Sequence, residues 1–389
     1  MAGHDGLFMG VALEGTGWHP ASWREEAARP TDLLTAGYWV ELARTAEEAG
    51  LDFVTLEDSL ALQSSRAAFH DTRTDLVRGR LDAVMIAARI APLTKRIGLI
   101  PSVTVTHTEP FHISKAIATL DYISLGRAGV RVQVSARPHE AAHFGRRTDV
   151  ETDAGTLFAE AADYVEVIRS LWDSWGDDAE IRDTTTGRFV DRDKLHYIDF
   201  KGRWFNVKGP GITPRPPQGQ PPVVALAHAA VPYRFAAEHA DIALVTPQDG
   251  DDTRRILDEV KASCEGRNVR VLADVVVFLG ESPAEAEDRK ERLDGLFGHR
   301  YRSDAFVFVG TPAGLADWAE EWSEAGIDGF RLRPGGLARD LDLIGIDLVP
   351  LLRRRSLFPT RARLGSLRDR FGWDRPANRY APATSETTP

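Results

Sequence analysis

Two sets of residues in this chain have types and spacing that suit chemistry. The first is dispersed. Glu14, His19, Glu57, Asp58, Thr104 to His107, Ser135, Arg137, His228, Arg331 and Arg333 each lie at or just beyond the end of a short apolar run. Hydroxyls, a few carboxylates and lone histidines can hydrogen-bond a ligand, contact an anion or pass a proton. They lack the dense His and Asp set of a metal-dependent hydrolase. The second set is compact: His139-Glu140-Ala141-Ala142-His143 is a literal H-E-x-x-H. On a helix that spacing puts two imidazoles on one face with a Glu as general base, the zinc-protease arrangement. Pro138 precedes it, its flanks lack an apolar helical face, and no third ligand follows at a suitable spacing. The match therefore reads as coincidence.

The dispersed set matters only if the fold gathers it. The stretch Glu109–Ser135, EPFHISKAIATLDYISLGRAGVRVQVS, reads as a strand end, a helix, a tight turn and another strand. Pro110 suits a first helical turn because its missing N–H would go unpaired there anyway. Phe111, Ile113, Ile117, Leu120 and Ile123 recur at helical spacing, Leu125-Gly126-Arg127 ends the helix, and Val130, Val132 and Val134 alternate as in a strand. Strand, helix and strand in so short a span form a βαβ unit and imply a parallel sheet. Further strands are expected at 7–13, 51–56, 96–104, 223–226, 242–245, 269–279 and 328–332. Helices are expected at 35–49, 80–91, 157–175, 283–297 and 311–326. Eight strands with intervening helices make a (β/α)8 TIM barrel, whose chemistry lies at the C-terminal ends of the strands. The turn-rich segment 180–220 reads as an excursion holding a small β-hairpin. Residues 1–375 form one barrel domain on this reading, and 376–389 a polar, loosely held tail.

Composition narrows the function classes. The chain has 389 residues and a net charge of −10, without the clustered Lys and Arg that nucleic-acid binding needs. Arg353-Arg354-Arg355 is one basic run and reads as a solvated helix end. Cys264 is the only cysteine, so neither an internal disulfide nor a thiolate zinc site is available. No apolar stretch approaches the ~20 residues that span a bilayer. The first residues read as a strand rather than a signal peptide. No membrane association is expected, and the expected location is the cytoplasm.

At the level of motifs the chain resembles the bacterial-luciferase-like flavin monooxygenases, in the branch of nitrilotriacetate, EDTA and dibenzothiophene-sulfone monooxygenases. That branch shows a pattern close to EPYH…ASLDxLSxGRAGWNVVTS where this chain has EPFHISKAIATLDYISLGRAGVRVQVS. Similar blocks are GWHPASWR (17–24), LEDSLA (56–61), TKRIGLI (94–100), SLWDSW (170–175), FKGRWFNVKGP (200–210) and FVGTPAGLADW (308–318). The C-terminal run DGFRLRP…LVPLLRRRSLF…LRDRFGWDRPAN matches as well, so the resemblance covers nearly the whole chain in order. It implies a luciferase-like barrel that uses reduced FMN and O2, forms a C4a-hydroperoxide and shields it from water while oxygenating a small organic substrate. It also implies an NAD(P)H:flavin reductase as transient partner, and a homodimer or a heterodimer with a paralogue.

By resemblance, Asp58, Thr104 and Ser135 are placed at the flavin. His19 becomes a candidate hydrogen-bond donor or proton shuttle at its reactive edge, and His112 a structural residue. The departures are as informative. An H-x3-Y pair expected before the long helix is Ala154 and Phe158 here. A Q-A-G-x-S-x-x-G phosphate cradle becomes ALAHAAVP, with Ala229 for the Ser and Pro232 for the Gly. The Asn of WNVV is Arg131. Arg131, Arg137 or His228 are then the expected substitutes at the phosphate. The alternatives are a flavin-poor, non-catalytic paralogue or partner subunit and, more remotely, an oxidoreductase using the deazaflavin coenzyme F420.

Overall fold

Eight parallel strands close on themselves: β1 (Phe8–Leu13), β2 (Phe53–Leu56), β3 (Gly98–Thr104), β4 (Val130–Gln133), β5 (Val223–Ala227), β6 (Ile242–Val245), β7 (Arg270–Leu279) and β8 (Gly329–Pro334). Each pairs with the next, and β8 returns to β1, so no open edge remains in the ring. This is the expected (β/α)8 barrel. The computed structural model describes residues 6–64, 71–145 and 153–381.

Local chemistry explains the outer elements that frame the site. Helix α1 (Ala36–Ala49) starts where the Thr35 hydroxyl accepts from the Tyr38 amide and stops at Gly50, whose φ of 86° is open to glycine. Helix α2 (Ala83–Ile90) is shorter than expected because Asp82 caps it. Helix α3 (Pro110–Ile123) begins at its proline. It is followed by the short α4 (Pro138–Ala142) and by α5 (Ala154–Asp173), which Asp153 caps. Helix α6 (Ala230–His239) follows β5. The turn after α3 takes positive φ at Leu125 and Gly126. Arg127 then pins it: its guanidinium donates to the carbonyls of Ser124, Ile97, Ala91 and Thr94 at 2.7–3.2 Å and to the Thr94 hydroxyl at 3.1 Å.

The barrel interior has three storeys. At the bottom, Phe8, Phe53, Ile100, Leu244 and Leu272 pack against Leu367, Phe371 and Trp373 from the C-terminal segment, with the Phe8 and Phe371 rings stacked at 4.5 Å. The C-terminal run thus plugs the barrel. The middle storey is charged and the upper one is a cavity. The larger apolar cluster lies outside the ring, between strands and helices, and includes Val11, Val54, Leu99, Val132 and Val275.

Three findings differ from expectation. A ninth parallel strand, Phe306–Gly310, pairs with the upper half of β7, where β6 has already ended. The excursion holds two antiparallel pairs rather than one, Glu180–Asp183 with Arg188–Val190 and Phe200–Lys201 with Asn206–Val207. The C-terminal segment, expected to be loose from about 376, is held through Tyr380. Asn378 is buried and its amide donates to the carbonyls of Asp173 and Trp175 at 2.9 and 2.7 Å, while Arg379 donates to Ser170 at 2.7 Å. Residues 382–389 lie outside the described residues.

Candidate functional site

The charged storey forms the floor of the site. Arg331 faces Asp274 on the neighbouring strand, Nε to Oδ1 2.7 Å, and donates to Glu57 at 2.9 Å and Thr55 at 3.1 Å. Glu57 also pairs with Arg131, whose Nε donates to the Ser102 hydroxyl at 2.9 Å. Arg333 binds Asp274 and reaches Asp304 at 2.8 Å, with Trp18 stacked 4.6 Å from its guanidinium carbon. Burial alone would raise the Glu57 carboxyl, but Arg131, Arg331 and Arg333 together hold it below its usual value. In the same way Arg333 outweighs burial at Asp304 and lowers it to about 2. Three guanidiniums and the carboxylates of Glu57 and Asp274 are thus buried together, and the exposed Asp304 completes the balance at the edge.

Above this floor, at the C-terminal ends of the strands, lies a cavity of about 760 Å3. That is the size of a cofactor or small-molecule site, in the position this fold uses for chemistry. Of the expected site residues, His19, Asp58, Arg131, Ser135, Arg137 and His228 line it. Thr104 is buried and does not line the cavity; its hydroxyl accepts from Gln133, which does, at 3.3 Å.

The structure gives several of these residues duties that the sequence did not show. His19 is fully buried, and both ring nitrogens are in use: Nδ1 accepts from the Ala21 amide at 3.1 Å and Nε2 meets Asp294 at 3.1 Å. The Ala21 bond fixes the tautomer, so Nε2 carries the proton and donates. Burial lowers its pKa against the opposing pull of Asp294. With neither nitrogen free, His19 holds the loop after β1 rather than relaying protons. Gly17 in that loop has φ 136° and approaches the Gly335 carbonyl so closely that a Cβ would lie 2.4 Å from it. The Asp58 carboxylate accepts from the Ser59 and Ala83 amides at 2.7 and 3.0 Å, so it secures the start of α2 while facing the cavity. Burial raises its pKa. The Ser135 hydroxyl accepts from the Arg137 amide at 3.2 Å and closes a turn. Arg131 is committed to the charged floor. Arg137 is half-exposed and reaches Glu140 at 3.2 Å, and His228 is exposed at the rim.

Four further residues of the wall are Trp18, which the sequence offers only as an aromatic able to line an apolar pocket, and Gln63, Arg80 and Glu140, which it does not place at a cavity. Each lines the cavity with a buried polar atom that has no hydrogen-bond partner among the described residues: Trp18 Nε1, Gln63 Oε1, Arg80 Nε and Glu140 Oε2. Glu140 was visible only within the H-E-x-x-H match. In the structure α4 ends at Ala142, His143 is exposed beyond it, and Glu140 turns inward to accept from the Ser59 hydroxyl at 3.0 Å. Arg80 meanwhile donates to Glu14 at 2.7 Å. Buried polar atoms without partners are uncommon in folded proteins, and four of them belong to residues of this one cavity's wall.

The cavity's other end is apolar. Ala154, Leu157 and Phe158 from α5 meet Leu226 from β5 and Phe235 from α6, with the Phe158 and Phe235 rings 5.3 Å apart. A flavin ring suits the volume and the two donors and two acceptors at the polar end. Beside the apolar end α6 starts after Ala229 without any side-chain cap, which leaves its first backbone amides without a side-chain acceptor.

This fold and site define a luciferase-like monooxygenase. The model of the luciferase-like monooxygenase family matches residues 16–305, and the chain belongs to that family. It is 29% identical to nitrilotriacetate monooxygenase component A from Aminobacter aminovorans, with 98% of this chain and 99% of that protein covered. It is 32% identical to dibenzothiophene-sulfone monooxygenase from Rhodococcus erythropolis over 71% of this chain and 62% of that one. The first alignment runs over 452 positions, more than this chain's 389 residues, so the relative has segments that this chain lacks. Among solved structures, EDTA monooxygenase from Chelativorans sp. BNC1 superposes with a TM-score of 0.83 at 22% identity, covering 95% of this chain and 99% of that one. Among the described residues, no helix is long and apolar enough to cross a membrane.

Proposed function

We propose that this protein is a flavin-dependent monooxygenase that takes reduced flavin from a separate NAD(P)H:flavin reductase and uses O2 to oxygenate a small organic substrate. The observation that supports it most directly is the cavity at the strand ends with its four unpartnered buried polar atoms. Family membership supplies the reaction class. A bound reduced flavin would provide the electrons that activate O2.

The chain's own residues then bind, orient and exclude water. Trp18 Nε1 and Arg80 Nε are donors for carbonyl or ring-nitrogen acceptors, and Gln63 Oε1 and Glu140 Oε2 are acceptors for N–H groups of flavin or substrate. The Arg131–Glu57 pair fixes the floor so that it cannot swing into the ligand's space. Asp58, raised by burial, holds a proton closer to neutral pH than an ordinary Asp does and is the best-placed acid–base group on the wall. Leu76, Val77, Leu157, Phe158 and Phe235 would keep water away from a bound flavin. The name component A carried by the nitrilotriacetate enzyme supports a two-component system. We place the protein in the cytoplasm as a homodimer or a heterodimer with a paralogue.

An anaerobic titration with reduced flavin, followed by O2 consumption in the presence of a flavin reductase, tests the reading. Saturable binding of reduced flavin is expected. Absence of binding at millimolar flavin would overturn it.

A further inference from the structure

We propose that Glu140 receives a protonated amine of the substrate, so that the substrates of this protein are small organic amines with an apolar body. This deepens the monooxygenase reading above and rests on it.

Two carboxylates of the cavity wall, from the segment after β2 and from α4, meet at Ser59. The Ser59 amide donates to Asp58 at 2.7 Å, and the Ser59 hydroxyl donates to Glu140 Oε1 at 3.0 Å. The other Asp58 oxygen accepts from the Ala83 amide at 3.0 Å. Backbone amides supply hydrogen bonds but no net charge. One guanidinium faces the two carboxylates: Arg137 Nη1 lies 3.2 Å from Glu140 Oε1 and 3.5 Å from the Ser59 hydroxyl. Arg80, also in the wall, is already answered by Glu14 at 2.7 Å.

The two members of the Glu140–Arg137 pair differ in environment. The Glu140 side chain is 1% exposed and the Arg137 side chain 44%. Water screens the guanidinium, while the carboxylate stays desolvated. Both side-chain bonds of Glu140 go to Oε1, and Oε2 is buried without a hydrogen-bond partner among the described residues. A carboxylate oxygen only accepts, so the group that completes it is a donor. An ammonium fits this place: it brings several N–H bonds and a positive charge to a point where two carboxylates meet one screened cation. Gln63 Oε1, a second unpartnered acceptor of the same wall, offers a further place for an N–H. An anionic group brought here would meet Asp58 and Glu140 as like charges. Leu157, Phe158, Leu226 and Phe235 supply an apolar surface for the hydrocarbon body of such an amine.

The full-length protein, saturated anaerobically with reduced FMN, is titrated by calorimetry with benzylamine, benzyl alcohol and benzoate, which share one ring and differ in charge. Benzylamine is expected to bind at least about tenfold more tightly than either of the others. In Glu140→Gln the bond from Ser59 can persist while the second oxygen gives way to a donor, and benzylamine affinity should fall by about tenfold or more. Arg137→Gln removes the competing guanidinium from a half-exposed position and should tighten benzylamine binding. Equal affinity for the three probes, or a preference for benzoate, overturns this inference alone. So does an unchanged benzylamine affinity in a Glu140→Gln variant that still binds reduced FMN, and so does weaker benzylamine binding in Arg137→Gln. Benzylamine binding to the flavin-free protein that disappears on saturation with reduced FMN would assign Glu140 to the flavin and overturn it as well. Failure of reduced FMN to bind overturns the monooxygenase reading itself.

Discussion

Arg331 and Asp274 sit opposite one another on β8 and β7, Nε to Oδ1 2.7 Å, and neither side chain has any solvent exposure. Asp274 also receives Arg333, so one carboxylate answers two guanidiniums. Removing it strands both. Asp274→Ala is expected to cost about 3–5 kcal/mol of folding stability, because breaking a buried pair leaves charge uncompensated. Urea denaturation measures this, and a loss below about 1 kcal/mol would contradict the described ladder. Replacing Asp274 and Arg331 together by leucines should cost less than the sum of the single changes.

Arg127 offers a second test. Its planar fork satisfies four carbonyls and a hydroxyl around the turn after α3. Lysine keeps the charge but presents one point where the site needs a fan of donors. Arg127→Lys is expected to lower stability by about 2–4 kcal/mol, largely from carbonyls left without partners. Thermal unfolding checks it, and a melting temperature equal to that of the parent would show that water fills the role.

Acid and base act on the fold through different groups. Burial raises the Asp121 carboxyl to about 6, despite hydrogen bonds from Gln218 and Ala128. The native state then binds a proton more tightly than the unfolded one. Its contribution is complete below about pH 4 and is lost as pH rises through about 6, on the order of 3 kcal/mol. Asp121→Asn should flatten the stability profile over that interval, and an unaltered slope would exclude this assignment.

His19 works in the opposite sense. Burial lowers its pKa, so its contribution is intact above the ordinary imidazole value and fades as pH falls through the folded one. His19→Phe removes the acceptor for Ala21 and the donor to Asp294, with an expected loss of about 1–3 kcal/mol at neutral pH. The variant should also be less sensitive to mild acid than the parent. A proton-relay residue would instead leave stability nearly unchanged when replaced.

The barrel was legible because its strands are short apolar runs and its helices carry clear caps and glycine stops. Leu51–Leu56 and Gly50 announce β2 and the end of α1 without any tertiary information. The strand Phe306–Gly310 was missed because it runs directly into the Thr311 cap of the next helix and pairs with half of one neighbour. The charged floor was legible only as single strand-end residues, Glu57, Arg331 and Arg333, and not as an ion-pair ladder with Asp274. Arg331 and Arg333 alternate with Phe330 and Leu332 as surface residues would, and only ring closure turns them inward. At the site, sequence marked where the strands end and therefore His19, Asp58, Ser135, Arg137 and His228. It did not reveal that His19 and Ser135 were occupied locally, since those bonds depend on loop geometry. Gln63 and Arg80 are singled out only by unsatisfied atoms, a property that no sequence displays, and Trp18 was legible only as an aromatic able to line a pocket.

Strand β7 changes partners partway along. Its first four residues pair with β6, and from Val275 upward the same side pairs with Phe306–Gly310. The hydrogen-bonded hoop is therefore complete only in its lower portion. Above Ala273 the wall is an annexe, fastened to one side of β7 and free of the eightfold repeat. Evolution can lengthen, trim or refit an annexe without reopening the hoop beneath it.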